Sequence, residues 1–493
     1  MVKQLILLLI FSVLCTLNAQ SQIVEWSNQQ KLKSKTNFTK IIGENATGLY
    51  LIRGKNGELN RDIIIEKYKS NLALETSAEI EQPVNSDIEE ILLMDDGLLL
   101  FAFRRNDSLP MLDLICWKLN SQLQRNGSIR QIAQIDQAFF NNNTTLYIQP
   151  SVAKKNYTVV YFTEGLEKKT SNINILGFDE GLNRIFTKSV ARRNSADDAV
   201  VSGVECDNEG NAFLLIDYPT PVAEKTKKSA ERDFYLYSYY KELDKVLEYV
   251  IQHDSAFIND IGLVLNNYKK TVVVAGLYST EAGNTIASGT FVYSIDIPST
   301  LIQYSFYEPL NKSFITKLIT SMLNETGPNI TDLYIRKLIP RSDGGISIIT
   351  EKYYETRQTY TYYANGFPQT ASKITYHHDE IIVISKNNEG KTQFNEVIKK
   401  TQSSMNDAGY YSSFVLLNTN NKLSFIYNSN SNNDGDIMIS SINPLGLIET
   451  KILIKALSYY VQLMPLESKQ INANTSLICT LKDRRFTLMK LTY

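Results

Sequence analysis

Histidine is scarce in this chain of 493 residues, and two of its three histidines fall together in His377-His378-Asp379-Glu380. Imidazole and carboxylate are metal ligands, but adjacent residues of a strand point to opposite faces, so this run makes a poor chelate. Asp379 also occupies a slot in which Asp62, Asp113, Asp233 and Asp436 recur. That recurrence marks an Asp at strand entry, bonding nearby backbone and organising a turn. The segment Asn430-Ser-Asn-Asn-Asp434-Gly-Asp436 offers the oxygen donors of a calcium loop without its downstream Glu, and reads as a polar hairpin. Two carboxylates for glycoside cleavage could be assembled from distant segments, yet nothing among the 52 acidic residues singles out a pair. There is no Gly-x-Ser-x-Gly elbow, P-loop or His-Glu-x-x-His. We assign no catalytic residue, no metal and no cofactor from these motifs.

The one concentration of recognition chemistry is aromatic. Between residues 353 and 378 lie Tyr353, Tyr354, Tyr360, Tyr362, Tyr363, Phe367 and Tyr376. Tyrosine offers a rigid, amphipathic contact surface at low entropic cost, which suits recognition of proteins or sugars. These seven are the candidate partner-binding residues. A long β-hairpin with Tyr360 and Tyr362 in cross-strand pairs is the competing, purely structural use of the same residues.

Positioning such a segment falls to short runs rich in Ile, Val, Tyr and Phe, separated by Asn, Gly and Asp turns. One cassette recurs eight times: a strand, a short turn, a very apolar second strand, a variable connection, a third strand, a tight turn and a fourth strand. The second strands begin at Gly48, Gly97, Tyr157, Ala212, Thr271, Gly345, Lys422 and Ser476. Near-continuous apolar strands are buried on both faces. Four strands in about 40 to 50 residues is the period of a propeller blade. The eighth unit runs out after three strands, while Ile23 to Lys33 is an orphan ahead of the first. The expected fold is therefore all-β, a β-propeller of about eight four-stranded blades (seven as the fallback), its ring closed by the N-terminal strand.

In such a ring the second-to-third and blade-to-blade connections share one face, and the large insertions, 218–232, 309–331 and 353–378, all fall there. The first is a charged loop. The second carries a helix over residues 311 to 325, with Phe314, Ile315, Leu318, Ile319, Met322 and Leu323 on one stripe and Asn311 or Ser313 as its cap.

Lys plus Arg total 51 against 52 for Asp plus Glu, so no net field favours nucleic acid. Lys3 followed by the apolar run Leu5 to Leu17 and by Asn18-Ala19-Gln20 predicts a signal peptide over residues 1–19, leaving 20–493 as a single domain. No later apolar run is long enough to span a bilayer. Cys116, Cys206 and Cys479 each lie in apolar runs and are read as free, buried residues.

The signal end Leu17-Asn-Ala-Gln20, the stretch Gly344 to Tyr354, Asp379 to Ile384, Lys400-Thr-Gln-Ser-Ser404 and Tyr411-Ser-Ser-Phe414 resemble uncharacterised exported β-propeller-like proteins of Bacteroidetes-type bacteria. That resemblance implies a periplasmic or extracellular location and supplies no activity. The expected role is a non-enzymatic binding or scaffold propeller that engages a protein partner in the cell envelope, for instance in outer-membrane transport or secretion machinery. The alternative is a carbohydrate-active propeller, which would set at least two carboxylates and several aromatics around its channel mouth.

Overall fold

Along each apolar second strand, successive side chains enter two different cores. In Gly97–Arg105, Leu98, Leu100 and Ala102 join one cluster while Leu99, Phe101 and Phe103 join the next. A strand reads as continuously apolar for this reason: each of its faces is pressed against a neighbouring sheet.

The structure is a computed structural model and describes residues 22–32, 36–55, 63–106, 108–136, 146–164, 171–191, 199–219, 232–252, 256–281, 285–321, 330–364, 367–431 and 435–493. These form eight antiparallel sheets with four consecutive strands in order. Blades 1 to 7 begin with strands Thr36–Asn45, Ser86–Leu93, Tyr147–Pro150, Val200–Cys206, Phe257–Asn266, Leu333–Pro340 and Val415–Thr419. Blade 8 consists of Leu463–Asn472, Thr475–Lys482 and Arg485–Thr492, and its outer strand is Ile23–Trp26, paired from Ile23↔Thr492 to Trp26↔Met489. Eight apolar clusters each join two successive blades, and the cluster holding Leu49, Leu51, Leu477 and Leu488 joins blade 8 to blade 1. The chain is a closed eight-bladed β-propeller. The expected signal peptide lies outside the described residues, as does nearly all of the 218–232 loop.

First strands of most successive blades pack against one another around the ring axis. In blades 1, 2, 4, 5 and 6 they carry β-bulges, whose extra residues include Ile42, Glu89, Ser202, Asn259 and Arg336. Bulges sharpen strand twist and interrupt alternation, which suits the crowded axis. Side chains stitch neighbouring blades there: Asn45 donates to the Met94 carbonyl (2.7 Å), Asn266 to that of Arg341 (2.9 Å), and Asp260 accepts the Ile335 N–H (2.6 Å).

The turns from third to fourth strand share a second device. Asn120, Asn387 and Asn443 each accept backbone N–H bonds from residues two and four further on, at 2.9 to 3.0 Å. The residue three after each Asn is left-handed: Leu123 (φ 63°), Gly390 (φ 81°) and Gly446 (φ 82°). Blades 1 and 3 also place leucines there, Leu72 (φ 61°) and Leu182 (φ 61°). All three leucines are buried against the preceding blade. Where glycine stands instead, an aromatic of the preceding blade occupies the space: an added Cβ would meet Phe306 2.9 Å from Gly390 and Phe394 2.9 Å from Gly446. Leucine therefore tolerates a conformation unfavourable by roughly 1 kcal/mol because its side chain fills a gap that Phe fills elsewhere.

The recurrent Asp is not one device throughout. Asp113 lies inside its strand and accepts from Arg104 (2.9 Å) and Gln134 (3.2 Å) across the sheet, a cross-strand polar set rather than a turn. The connecting helix runs Lys312–Ser321, and the remainder of the expected helix, with Met322 and Leu323, lies outside the described residues. Asn311 caps it through the Phe314 N–H (2.8 Å), and Phe314 and Leu318 are buried between blades 5 and 6.

Candidate functional site: the extended hairpin of blade 6

The second and third strands of blade 6, Ile346–Ala364 and Phe367–Lys386, run 19 and 20 residues, far beyond their counterparts in the other blades. Their register is continuous from Tyr353↔His378 to Ala364↔Phe367. A short strand, Gln402–Met405, pairs with the third strand from His378 to Thr375, and Asn406 closes the edge by bonding both the N–H and the carbonyl of Ile374 at 2.9 Å. Beyond this point the hairpin stands alone. The eight residues from Arg357 to Ala364 project roughly 25 Å at the usual strand rise.

The seven aromatic candidates divide by register. Cross-strand partners share a face, so Tyr354, Tyr360, Tyr362 and Phe367 lie on one face and Tyr353, Tyr363 and Tyr376 on the other. Tyr360 and Tyr362 do not face each other across strands. They neighbour each other along one strand with ring centroids 6.3 Å apart, opposite Ala371 and Gln369. Tyr363 is 77% exposed, Phe367 70%, Tyr360 54% and Tyr362 47%, which separates the tip from the base. At the base Tyr354 stacks on His377 (4.3 Å, 3° between planes). Tyr353 packs on His378 (4.7 Å) with the Arg336 guanidinium 5.5 Å from its ring, and its hydroxyl donates to Glu355 (2.6 Å). The structure thus brings four of the seven to an exposed tip, commits Tyr353 and Tyr354 to the footing, and leaves Tyr376 half-buried beside the added strand.

Beneath the hairpin lies a buried ionic network. Glu351 is fully buried; its Oε1 lies 2.9 Å from Lys400 Nζ, and its Oε2 accepts from Arg336 Nε (2.9 Å) and Ser413 Oγ (2.8 Å) and lies 3.1 Å from His378 Nδ1. Lys400 also donates to the His378 carbonyl (2.7 Å) and to Gln402 Oε1 (3.0 Å), and Gln402 donates to the Asn428 carbonyl of blade 7 (2.6 Å). Burial alone would push Glu351 up, but Lys400, His378 and Arg336 outweigh it and hold the carboxyl well below its usual range. Burial pulls Lys400 below its ordinary value, with Glu351 opposing that shift. Gly409 (φ 72°) lets the following loop close over this network, since a Cβ there would stand 2.6 Å from His378 Nε2. No substrate reaches a carboxylate and an ammonium enclosed in this way. Their chemistry is to bind the hairpin's footing to blade 7 and fix its direction.

None of Glu351, Lys400, Arg336, Gln402 or Ser413 was singled out by motif. The available signal was Glu351-Lys352 continuing the apolar run from Gly345 to Thr350 without a turn residue, a charge where a strand should stay buried.

Among the described residues Cys116, Cys206 and Cys479 are free and buried, and no helix is long and apolar enough to cross a membrane. Fold and site together define the class: an eight-bladed β-propeller with one blade drawn out into an aromatic-tipped hairpin. No protein-family model and no curated protein matches the chain. Among solved structures it is similar to the polysaccharide lyase Uly1, at a TM-score of 0.38 and 8% identity over 95% of this chain and 99% of that one. It is also similar to the β-propeller domain of the Trilobed protease from Pyrococcus furiosus, at 0.36 and 9% over 85% and 97%. A third similar structure is prolyl oligopeptidase B from Galerina marginata, at 0.40 and 9% over 90% and 55%.

Proposed function

We infer that this propeller is an exported, non-enzymatic scaffold that engages a protein partner in the Gram-negative cell envelope through the blade 6 hairpin. A subunit of outer-membrane transport or secretion machinery is the concrete form of that reading. The observation that carries it is the hairpin tip: four large aromatics, Tyr360, Tyr362, Tyr363 and Phe367, held in solvent on both faces of a two-stranded arm. A hairpin with no third strand is marginal on its own and exposes two unpaired edges, a surface that a partner's contact would stabilise. Tyr and Phe anchors are also the residues that concentrate binding energy at interfaces. The buried network at the footing supports the same reading, because an arm of fixed direction loses less freedom on docking.

The carbohydrate-active alternative asks for several aromatics around the channel mouth. The depression on the tight-turn face along blades 6 and 7 is lined mainly by polar side chains, with one carboxylate, Asp343, and two aromatics, Tyr268 and Phe394.

The test is purification of the tagged protein from its native envelope, alongside a variant in which residues 356–375 are replaced by a two-residue turn. A defined partner that co-purifies with wild type, and cross-links through a photoreactive group at position 362, supports the scaffold. Equal recovery of the same partner by the folded variant overturns it.

A further inference from the structure

The two strands of the blade 6 arm have unlike edges. Ile374 turns its N–H and carbonyl outward to Asn406, and on the other side of the hairpin the Tyr353 N–H turns outward to the Asp332 carbonyl (2.9 Å). Ile374 stands opposite Arg357, and the register from Tyr353 to Ala364 is unbroken, so outward-facing backbone groups recur at every second residue of each strand. On Ile346–Ala364 they belong to Glu355, Arg357, Thr359, Thr361 and Tyr363. On Phe367–Lys386 they belong to Ile374, Ser372, Thr370 and Pro368.

The edge of Phe367–Lys386 is blunted along its length. Gln402–Met405 covers it as far as Thr375, Asn406 occupies Ile374, Lys373 adds a charge, and Pro368 has no N–H to offer at its outward position. The edge of Ile346–Ala364 has none of these devices. From Gln358 to Ala364 it reads Gln-Thr-Tyr-Thr-Tyr-Tyr-Ala, without charge, proline or glycine, and beyond Tyr353 no strand among the described residues pairs with it. Glu355 to Tyr363 are all exposed. A run of strand-forming residues bare along an edge is a template for one more strand.

We propose that this edge pairs with the same edge of a second copy of the chain, antiparallel about a two-fold axis through Tyr360. In that register the run is its own complement. Thr359 faces Thr361 of the second copy, a favourable cross-strand pair. Arg357 faces Tyr363 of the second copy, setting a guanidinium beside a ring that is 77% exposed in the single chain. Tyr360 meets its own counterpart at the axis, with Tyr362 of each copy diagonal to it on the same face. The outward groups from Arg357 to Tyr363 make about eight main-chain hydrogen bonds with those of the second copy, within the range of a typical interface. A foreign strand would be selected by complementary charge, and the run from Gln358 to Ala364 carries none. Pairing stops at Arg357, short of Tyr353, where Asp332 already holds the edge. The inference goes beyond the envelope partner, since joining the edges leaves the faces of both arms open and presents their aromatics side by side.

Sedimentation velocity of the purified protein over a dilution series tests this. Wild type should be a dimer that dissociates on dilution. Thr359→Pro with Thr361→Pro removes two outward N–H groups that bond nothing within the arm, and should be a monomer at concentrations where wild type is dimeric. Thr359→Ala with Thr361→Ala keeps both groups and should dimerise as wild type does. Tyr360→Cys should form a disulfide-linked dimer on mild oxidation, because the axis sets the two positions within bridging distance, whereas Ala371→Cys, on the same face but the other strand, should not. The native cysteines are buried and do not compete. A wild-type monomer at every concentration, or a proline pair as dimeric as wild type, overturns the proposal. Should the proline pair fail to fold, equal cross-linking at positions 360 and 371 overturns it and selective cross-linking at 360 supports it. The protein is tested alone, so a monomer leaves the envelope-partner reading standing, and failure to recover a partner leaves the dimer standing.

Discussion

Lys400 Nζ lies 2.9 Å from Glu351 Oε1, and neither side chain reaches solvent. Removing one member of such a pair leaves the other charged and enclosed, which typically costs about 3 to 5 kcal/mol. Lys400→Met should therefore destabilise by about 3 kcal/mol, because Arg336 and His378 still serve Glu351. Glu351→Gln in the same background should recover part of that loss. Urea denaturation of the two single variants and the double measures the coupling directly. Additive losses would mean the pair contributes nothing beyond its separate hydrogen bonds.

The hairpin tip should behave in the opposite way. Replacing Tyr360, Tyr362, Tyr363 and Phe367 by Ser removes exposed rings, so the unfolding free energy from urea denaturation should change by no more than about 0.5 kcal/mol per substitution. Partner recovery should fall by well over tenfold. A variant that unfolds would place these rings in the propeller's own stability rather than at an interface.

Leu123 offers a test of the turn compromise. Leu123→Gly relieves left-handed strain of roughly 1 kcal/mol but empties a buried site between blades 1 and 2, which costs about 3 kcal/mol. The net expectation is destabilisation by about 2 kcal/mol. The thermal midpoint rising in this variant would show that strain, not filling, dominates the position.

The buried carboxyls of Glu205 and Glu467 predict a stability that depends on pH. Glu205 and Glu467 titrate at about 7 in the folded chain and at ordinary values near 4.5 when unfolded. Between those limits the folded state holds more protons, so stability falls as pH rises from about 4.5 to 7 and stays lower above it. Wild type should melt at a higher temperature at pH 5.5 than at pH 7.5. Glu205→Gln with Glu467→Gln should reduce that difference, and an unchanged difference would assign it to other buried carboxyls.

Much of the ring was legible because its second strands are apolar on both faces. Gly97 to Phe101 and Thr271 to Ala275 announce themselves without reference to the rest of the chain. The orphan strand at Ile23 was legible for a related reason: eight units with one strand missing leave a single place for it. First strands were harder to read, since the bulges at Glu89 and Arg336 break the alternation that a strand should show. Leucine at Leu72, Leu123 and Leu182 hides a left-handed turn behind a residue that ordinarily avoids one. The ionic footing was the least visible part. Glu351, Lys400 and Ser413 are separated in sequence and come together only because a strand inserted after blade 6 folds back on the hairpin.

The clasp of the ring has a mechanical meaning. Ile23 pairs with Thr492, and Gln22 donates to the Tyr493 hydroxyl at 2.7 Å, so the two ends of the described chain leave the molecule side by side. The clasp itself is antiparallel, pairing Ile23–Trp26 and then Gln30–Lys31 with the last strand. Tension between Gln22 and Tyr493 would load its bonds one at a time, as a zipper is opened, while the seven other blades bear almost none of the force. A molecule tethered by both termini would open first at that seam, whereas one gripped by its blade 6 arm would carry the load through the Glu351–Lys400 footing into the body of the ring.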